Sequence, residues 1–316
     1  NYFVTSAETG QGISELRHYL ANLPELADTQ KPFRYAIDRV FSVKGAGTVV
    51  TGTAFSGTVK VNDELYLSTG QKVRVKAIHA QNTSSEQGIA GQRLALNLNA
   101  DLDRSPMKRG DWLLQDEPLS PTDRISVQIL AEVPLNESQP VHIYHGASRT
   151  TGKLTLLQGK NAAKNDRTLA EIILDSPLFL AFGDKLILRS GDTKTLIAGA
   201  RVLEINSPKR HKRTELRLNF LANLALAENA SQRIALTLQH NATTARQLMW
   251  TEQLTSLQLD KALAERDAVR YQDWCFNTNY VQEKTQQILT ALNTYHEQHN
   301  DQLGVSKARL YRMATL

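Results

Sequence analysis

The sequence predicts a multi-domain protein: two antiparallel β-barrels followed by α/β winged-helix modules. Three observations lead to this. Short alternating strands with glycine turns recur over residues 33–117 and again over 122–206. A stiff Pro118-Leu119-Ser120-Pro121 break separates the two sets. After about residue 212 the apolar period changes from two to 3.6, the helical value.

Composition bounds the class. The chain has 316 residues, enough for two to four modules, with 41% hydrophobic and 22% charged residues. Its net charge of +5 points toward a polyanionic partner, although many ordinary soluble proteins share such a bias. The single cysteine, Cys275, excludes a disulfide framework and a Cys-rich zinc site and fits a reducing, cytoplasmic setting. No apolar run reaches the ~18 residues of a membrane span, so no membrane association is expected. The sequence starts at Asn1 rather than Met and reads as a fragment of a longer protein.

In residues 1–27, Tyr2, Phe3 and Val4 read as the end of a buried strand, and Thr9-Gly10-Gln11-Gly12 as a tight loop. Ile13, Leu16, Leu20 and Leu23 then fall at helical spacing, with Pro24 as the stop. This strand–loop–helix, carrying Ser6 and Ala7 before Gly-x-Gly, resembles the last guanine-contacting loop of translational GTPases. The resemblance implies the C-terminal end of a GTPase domain, in which a main-chain N–H meets the guanine oxygen. An ordinary βα turn is the plain alternative. No G-x-x-x-x-G-K-[ST] and no Asn-Lys-x-Asp occurs. GTP and Mg are therefore expected only in a longer parent, with no catalytic residue and no metal site here.

Residues 28–31 are a polar linker. The first barrel opens with the stretch 32–65, PFRYAIDRVFSVKGAGTVVTGTAFSGTVKVNDEL. Ala36, Val40, Val43, Val49, Val50, Val59 and Val61 alternate with polar residues, and Gly45, Gly47, Gly52 and Gly57 mark the turns. Strands follow over 72–78, over 88–98 with Leu94, Leu96 and Leu98 on one face, and at 109–113. His79, in the H-A-Q-N run, reads as an unassigned loop residue.

The order of these strands resembles domain II of the elongation factor Tu-like GTPases. The wording A-I-D-R-x-F, G-x-G-T-V-V-T-G-T, H-A-Q-N, A-G-Q-R-x-A-L-N and R-G-D-W-L is similar to the bacterial selenocysteine-specific elongation factors, the SelB family. The likeness runs over the whole chain, strongest at 33–116 and weakest after 230. It implies that Asp38, Arg39 and Arg93 receive the amino acid of selenocysteyl-tRNA. A selenol is more acidic than a thiol, so it is an anion where cysteine is largely protonated. Always-charged guanidinium groups favour the anion, and Asp38 orients one of them. Each charge-assisted contact contributes about 1.5–3 kcal/mol when partly buried, roughly tenfold to a hundredfold in affinity. The plain alternative is a set of surface charges on a barrel rim, worth little.

The second barrel, 122–206, resembles domain III of the same family, which helps grip the tRNA. His142 and His145 are three apart on a strand, so they face opposite ways and cannot chelate one metal. The run 207–213, SPKRHKR, reads as an exposed hinge. Its Lys209, Arg210, Lys212 and Arg213 are candidates for RNA-backbone contacts, or for a solubilising linker.

Residues 212–276 read as a winged helix. Leu216, Phe220, Leu221 and Leu224 form one helix face; Ser231 is a candidate N-cap, and Thr243 or Thr244 another. Leu254, Leu257, Leu259 and Leu263 continue in helix, and Val269 to Phe276 form the hairpin wing. Val281, Ile288, Leu289, Leu292 and Tyr295 start a partial second winged helix over 277–316, with an apolar face left partly uncovered and a further helix from Ser306. In the resembled family later modules hold a messenger-RNA hairpin, and none of those contacts is carried over. The implied partners are selenocysteyl-tRNA and the ribosome, for a monomer delivering its tRNA at recoded UGA codons. The alternatives are another translational GTPase or a GTPase-independent nucleic-acid adaptor. A fluorescent GTP analogue titrated into this chain alone should show no saturable binding; a micromolar affinity would overturn the assignment of residues 1–27.

Overall fold

The computed structural model describes residues 2–23, 28–43, 47–100, 106–239 and 241–314. The expected helix stop at Pro24 and the expected turn at Gly45 lie outside the described residues. The first helix forms as expected, α1 Ile13–Ala21, entered through Gly12 in the left-handed region at φ 69. A Cβ on Gly12 would lie 2.1 Å from the Val4 carbonyl oxygen, so this close turn needs glycine. The expected strand at residues 2–4 is absent. Tyr2 and Val4 are exposed, and among the described residues no strand runs beside them to complete a ladder.

Nine strands build the first barrel: β1 Arg34–Val43, β2 Gly47–Ser56, β3 Thr58–Lys60, β4 Glu64–Leu67, β5 Lys72–Ala80, β6 Thr83–Ser85, β7 Gln87–Ile89, β8 Arg93–Asn99 and β9 Trp112–Leu114. The main sheet runs β4-β9-β1-β2-β8-β5-β6, and β4 also pairs with β5, which closes the ring. Tyr35, Ile37, Val50, Leu94, Leu96 and Leu98 fill its core. The Tyr35 hydroxyl donates to the Leu94 carbonyl at 2.9 Å. Burial, reinforced by the nearby Asp38 charge, pushes this phenol far up, so it stays protonated. His79 lies in β5, not in a loop; the turn is at Gln81 and Asn82, both with positive φ.

The second barrel contains β10 Thr122–Ala131, β11 Leu135–Asn136, β12 Ser138–His145, β13 Ser148–Leu156, β14 Asn161–Ala162, β15 Arg167–Leu178, β16 Lys185–Ser190 and β17 Leu196–Ile205. Six of these close in the order β10-β15-β13-β12-β16-β17. His142 and His145 do face opposite sides: His142 reaches the Gly191 carbonyl at 3.2 Å, while His145 is buried.

At the start of β1 both faces are buried, because the second barrel covers the outer one. Arg34 reaches across and donates to both Asp184 oxygens, at 3.0 and 2.8 Å. His145 Nε2 lies 3.3 Å from the same carboxylate, and the Ala181 N–H donates to it at 2.9 Å. Trp112 stacks on His145 at 5.2 Å and lies under the Arg34 guanidinium at 4.9 Å. Burial disfavours the Asp184 charge, but Arg34 and His145 outweigh it and hold the carboxyl far below the usual range.

Helix α2 Glu215–Leu226 lays Leu221 and Leu224 against Leu157, Leu169 and Leu203 of the second barrel. A winged-helix core follows from α3 Ala230–Leu238, β18 Thr243–Thr244, α4 Ala245–Glu252, α5 Ser256–Ala264, β19 Ala268–Tyr271 and β20 Trp274–Asn277. Its sheet runs β18-β20-β19. Asn229, not Ser231, caps α3; Ser231 is buried and donates to the Ala262 carbonyl. Thr244 caps α4 as expected. Leu254 does not continue into one helix, because Gln253 turns left-handed and Thr255 starts α5 with a capping box. Trp250 on α4 joins the second barrel's core and donates to the Leu180 carbonyl at 2.9 Å. Last come α6 Thr278–Gln298 and α7 Lys307–Met313; Val281 and Leu289 stay exposed, while Tyr295 is buried.

Asp184→Asn should cost about 3–5 kcal/mol at pH 7, because it leaves Arg34 buried with only a neutral partner. A carboxylate with a depressed folded pKa contributes its stability above the unfolded value, about 3.9, and loses it as pH falls below that. The melting temperature of the native chain should therefore drop steeply below about pH 4, and this component should be missing in the variant.

Candidate functional site

The predicted charged residues meet on the outer face of the first barrel. In β1, Tyr35 and Ile37 point inward, and a strict alternation would send Arg39 inward too. Instead Ile37 pairs with Gly52 and Arg39 with Thr51, so Asp38 is an extra residue, a bulge. The bulge reverses the parity: Val40 packs against the core and Arg39 is exposed. Gly52 makes the bulge possible. A Cβ there would lie 2.0 Å from the Ala36 carbonyl oxygen.

Asp38 holds two partners. The Thr51 hydroxyl donates to its Oδ1 at 2.8 Å. Arg93, from β8, donates through both terminal nitrogens, one of them to Oδ1 at 3.1 Å. The hydrogen bonds from Arg93, helped by Thr51 and opposed by partial burial, hold the Asp38 carboxyl below its ordinary range. The Arg93 side chain remains 56% exposed, so solvent screens the pair, which adds little stability by itself. Its value is orientation. A guanidinium has five N–H groups and Asp38 engages only some of them, so donors remain for an incoming anion. Arg39 stands beside this clamp and enters no ion pair among the described residues. The three charges sum to +1.

Ser6 closes its loop: its N–H donates to the Gln11 carbonyl at 3.0 Å and its hydroxyl accepts from the Thr9 N–H at 3.2 Å. Ala7 is exposed beside it. The basic run at 207–213 is fastened rather than a loose hinge. Lys212 pairs with the buried Glu171, which Arg124 also holds at 2.9 Å. Arg213 pairs with Glu137 at 2.7 Å and donates to the Leu156 carbonyl at 2.9 Å. Lys209 and Arg210 are exposed.

A basic face emerges that the sequence reading passed over. On β13, Arg149 and Lys153 are exposed, and so are Lys185 and Arg189 on β16. Between them runs β12, where Tyr144 is paired with Arg149 and His142 with Arg189. The signal was a spacing of two, Arg149-x-Thr151-x-Lys153 and Lys185-x-Ile187-x-Arg189, on the outward positions of their strands. A cavity of about 480 Å³ lies elsewhere, between the first barrel and the winged helix, with Phe33, Leu114, Met249 and Trp250 in its wall; none of the predicted site residues lines it. Among the described residues no His, Cys, Asp or Glu cluster fits a metal ion, and no helix is long and apolar enough to cross a membrane.

Two joined barrels, a charged clamp on the first and a winged helix beyond define the body of a translation elongation factor. Residues 47–114 match the family model "Elongation factor Tu domain 2", and 122–209 match "Selenocysteine-specific elongation factor, beta-barrel domain". Residues 289–316 match "Elongation factor SelB, winged helix". The selenocysteine-specific elongation factor of Haemophilus influenzae is 97% identical over 316 residues, all of this chain and 51% of the relative. That of Escherichia coli is 41% identical over 314 residues, 99% of this chain and 50% of the relative. A crystal structure of a bacterial selenocysteine-specific elongation factor superimposes with a TM-score of 0.73 at 23% identity, covering 98% of this chain and 50% of that one. Elongation factor SelB from Methanococcus maripaludis, in its apo form, gives 0.54 at 26% identity over 65% of this chain and 50% of that one. The chain belongs to the selenocysteine-specific elongation factor family. It spans about half the length of the curated relatives it matches.

Gly52→Ala should lower stability by about 1–3 kcal/mol, since the added methyl meets backbone rather than a yielding side chain. The melting temperature measures the cost.

Proposed function

We propose that this chain is the tRNA-binding body of a selenocysteine-specific elongation factor, which carries selenocysteyl-tRNA to the ribosome at recoded UGA codons. The observation that carries the reading is the Asp38–Thr51–Arg93 clamp beside Arg39 on an exposed barrel face. The selenolate takes the free N–H groups of Arg93 and the charge of Arg39. A serine hydroxyl at the same place is neutral and gains only an ordinary hydrogen bond. At about 4 Å a pair of unit charges near a protein surface interacts by about 4 kcal/mol, so even strong screening leaves a useful preference. The aminoacyl end of the tRNA covers the clamp as it docks, which excludes water and strengthens the contact.

The second barrel supplies sequence-independent grip. Arg149, Lys153, Lys185 and Arg189 present a two-strand basic face that suits a phosphate backbone, with Tyr144 and His142 between them. Lys209 and Arg210 extend the cationic surface; Lys212 and Arg213 serve chiefly to anchor the segment.

GTP and Mg belong to the proposed longer factor. The loop around Ser6 and Ala7 suits the base end of such a nucleotide: it is closed by the Ser6 N–H to Gln11 carbonyl and Gly10 N–H to Ser6 carbonyl bonds, with the small Ala7 exposed beside it. Those residues would hold the guanine, while the bound nucleotide supplies the switch between tRNA-holding and tRNA-releasing states. The factor works as a cytoplasmic monomer, and no messenger-RNA hairpin contact is assigned to these residues.

In the full-length factor, Arg39→Ala with Arg93→Ala should remove tenfold or more of the preference for selenocysteyl-tRNA over seryl-tRNA, measured by filter binding. An unchanged ratio would refute the pocket. Arg149→Ala with Arg189→Ala should weaken both tRNAs alike and reduce the slope of log affinity against log salt by about 1.4–1.8, the value for two lost phosphate contacts.

A further inference from the structure

We propose that His79 is a further specificity-determining residue of this amino-acid pocket, presenting an imidazole N–H to the selenolate from the side opposite Arg39. The inference rests on the pocket reading above and adds a residue to it.

The argument starts from register. Arg39 pairs with Thr51, Thr51 with Ala95, and Ala95 with His79. These four residues form one row across four neighbouring strands, all on the outer face of the barrel. Strands lie about 4.8 Å apart, so the two ends of the row are separated by about 14 Å of sheet. The middle of the row, Thr51 and Ala95, carries only short side chains. The row is thus a shallow floor with a large nitrogen-bearing side chain at each end. Arg93 sits two residues before Ala95 on the same face, which makes it the diagonal neighbour of His79 across the β8–β5 pair. Such diagonal neighbours are about 7–8 Å apart and within reach of long side chains. The Arg93 guanidinium reaches back across β2 to Thr51 and Asp38, so a group seated over Ala95 lies between that guanidinium and His79.

The outward placement of His79 depends on a second irregularity. Val73 and Val75 point into the core, and unbroken alternation would send residue 79 inward with them. Val75 pairs with Leu98 and Ala77 with Asn97, so Lys76 is an extra residue. This bulge reverses the parity: Ile78 is buried and His79 exposed. Arg39 owes its outward position to the same device on β1. Two independent bulges, one on each side of the β2–β8 pair, each turn one nitrogen-bearing side chain onto the same floor. Bulges gather where a side chain must be re-aimed at a site.

The chemistry fits an anion. A histidine ring has an N–H donor whether neutral or protonated, and a donor to a charged acceptor is roughly twice as strong as one to a neutral hydroxyl. The position thus favours selenolate over serine without adding a permanent charge.

The test uses the full-length factor with selenocysteyl-tRNA and seryl-tRNA as probes, measured in parallel with Arg39→Ala/Arg93→Ala. His79→Ala should lose about tenfold in affinity for selenocysteyl-tRNA and leave seryl-tRNA binding unchanged. His79→Gln, which keeps an N–H donor, should recover most of the loss; a merely structural role would not produce this rescue. If His79→Ala changes neither tRNA, or weakens both equally, while the arginine variant loses its preference, the His79 inference is wrong and the pocket stands. If the arginine variant also keeps its preference, the pocket itself fails.

Discussion

The buried contact of Arg34 with Asp184 holds the two barrels in one fixed relation, and the sites on each barrel depend on that relation. Asp184 accepts from Arg34 and from the Ala181 N–H, with the His145 Nε2 3.3 Å away, and Trp112 packs against both the Arg34 guanidinium and the His145 ring. A charge taken out of water this completely is tolerable only with such partners, and losing one leaves the others stranded. The result is directional. Hydrophobic contact alone would let the barrels slide, whereas a bidentate pair sets an angle. The clamp on the first barrel and the basic face on the second are then held at constant separation.

The winged helix is joined to this unit by similar means. Trp250 enters the second barrel's core and donates to Leu180, and the Arg233–Glu252 pair is nearly buried, with Arg233 4.1 Å from the ring of Phe182. Burial pushes the Glu252 carboxyl up despite Arg233. Arg246 adds an exposed pair with Glu117. Three modules that the sequence divides at Pro118–Pro121 and near residue 212 thus share interfaces as specific as their own cores.

Much of this architecture was legible from periodicity. Leu94, Leu96 and Leu98 alternate and are all buried, and Thr244 caps a helix as its position predicts. What escaped depends on events that alternation does not encode. A bulge adds one residue and reverses every later side chain on its strand, so strict alternation alone would turn residues 39 and 79 inward, and His79 read as a loop residue. Arg34 and Asp184, 150 residues apart, look like ordinary surface charges in isolation. Helix α2 looked like the first element of the winged helix, because an apolar stripe does not say which neighbour will cover it; the second barrel does. The Asp38, Arg39 and Arg93 set came from family resemblance, and the geometry adds what resemblance lacked: Asp38 and Thr51 orient Arg93, leaving Arg39 as the excess charge.

The central claim is that the amino-acid side chain is read on the outer face of the first barrel, over the floor made by Thr51 and Ala95. Selenium offers a direct marker. Crystals of the full-length factor with a GTP analogue and selenocysteyl-tRNA, measured at the selenium absorption edge, would place that one atom. The account predicts an anomalous peak within about 4 Å of the Arg93 guanidinium, the range of an ion pair. A peak elsewhere, away from the β1–β2–β8–β5 face, would contradict it.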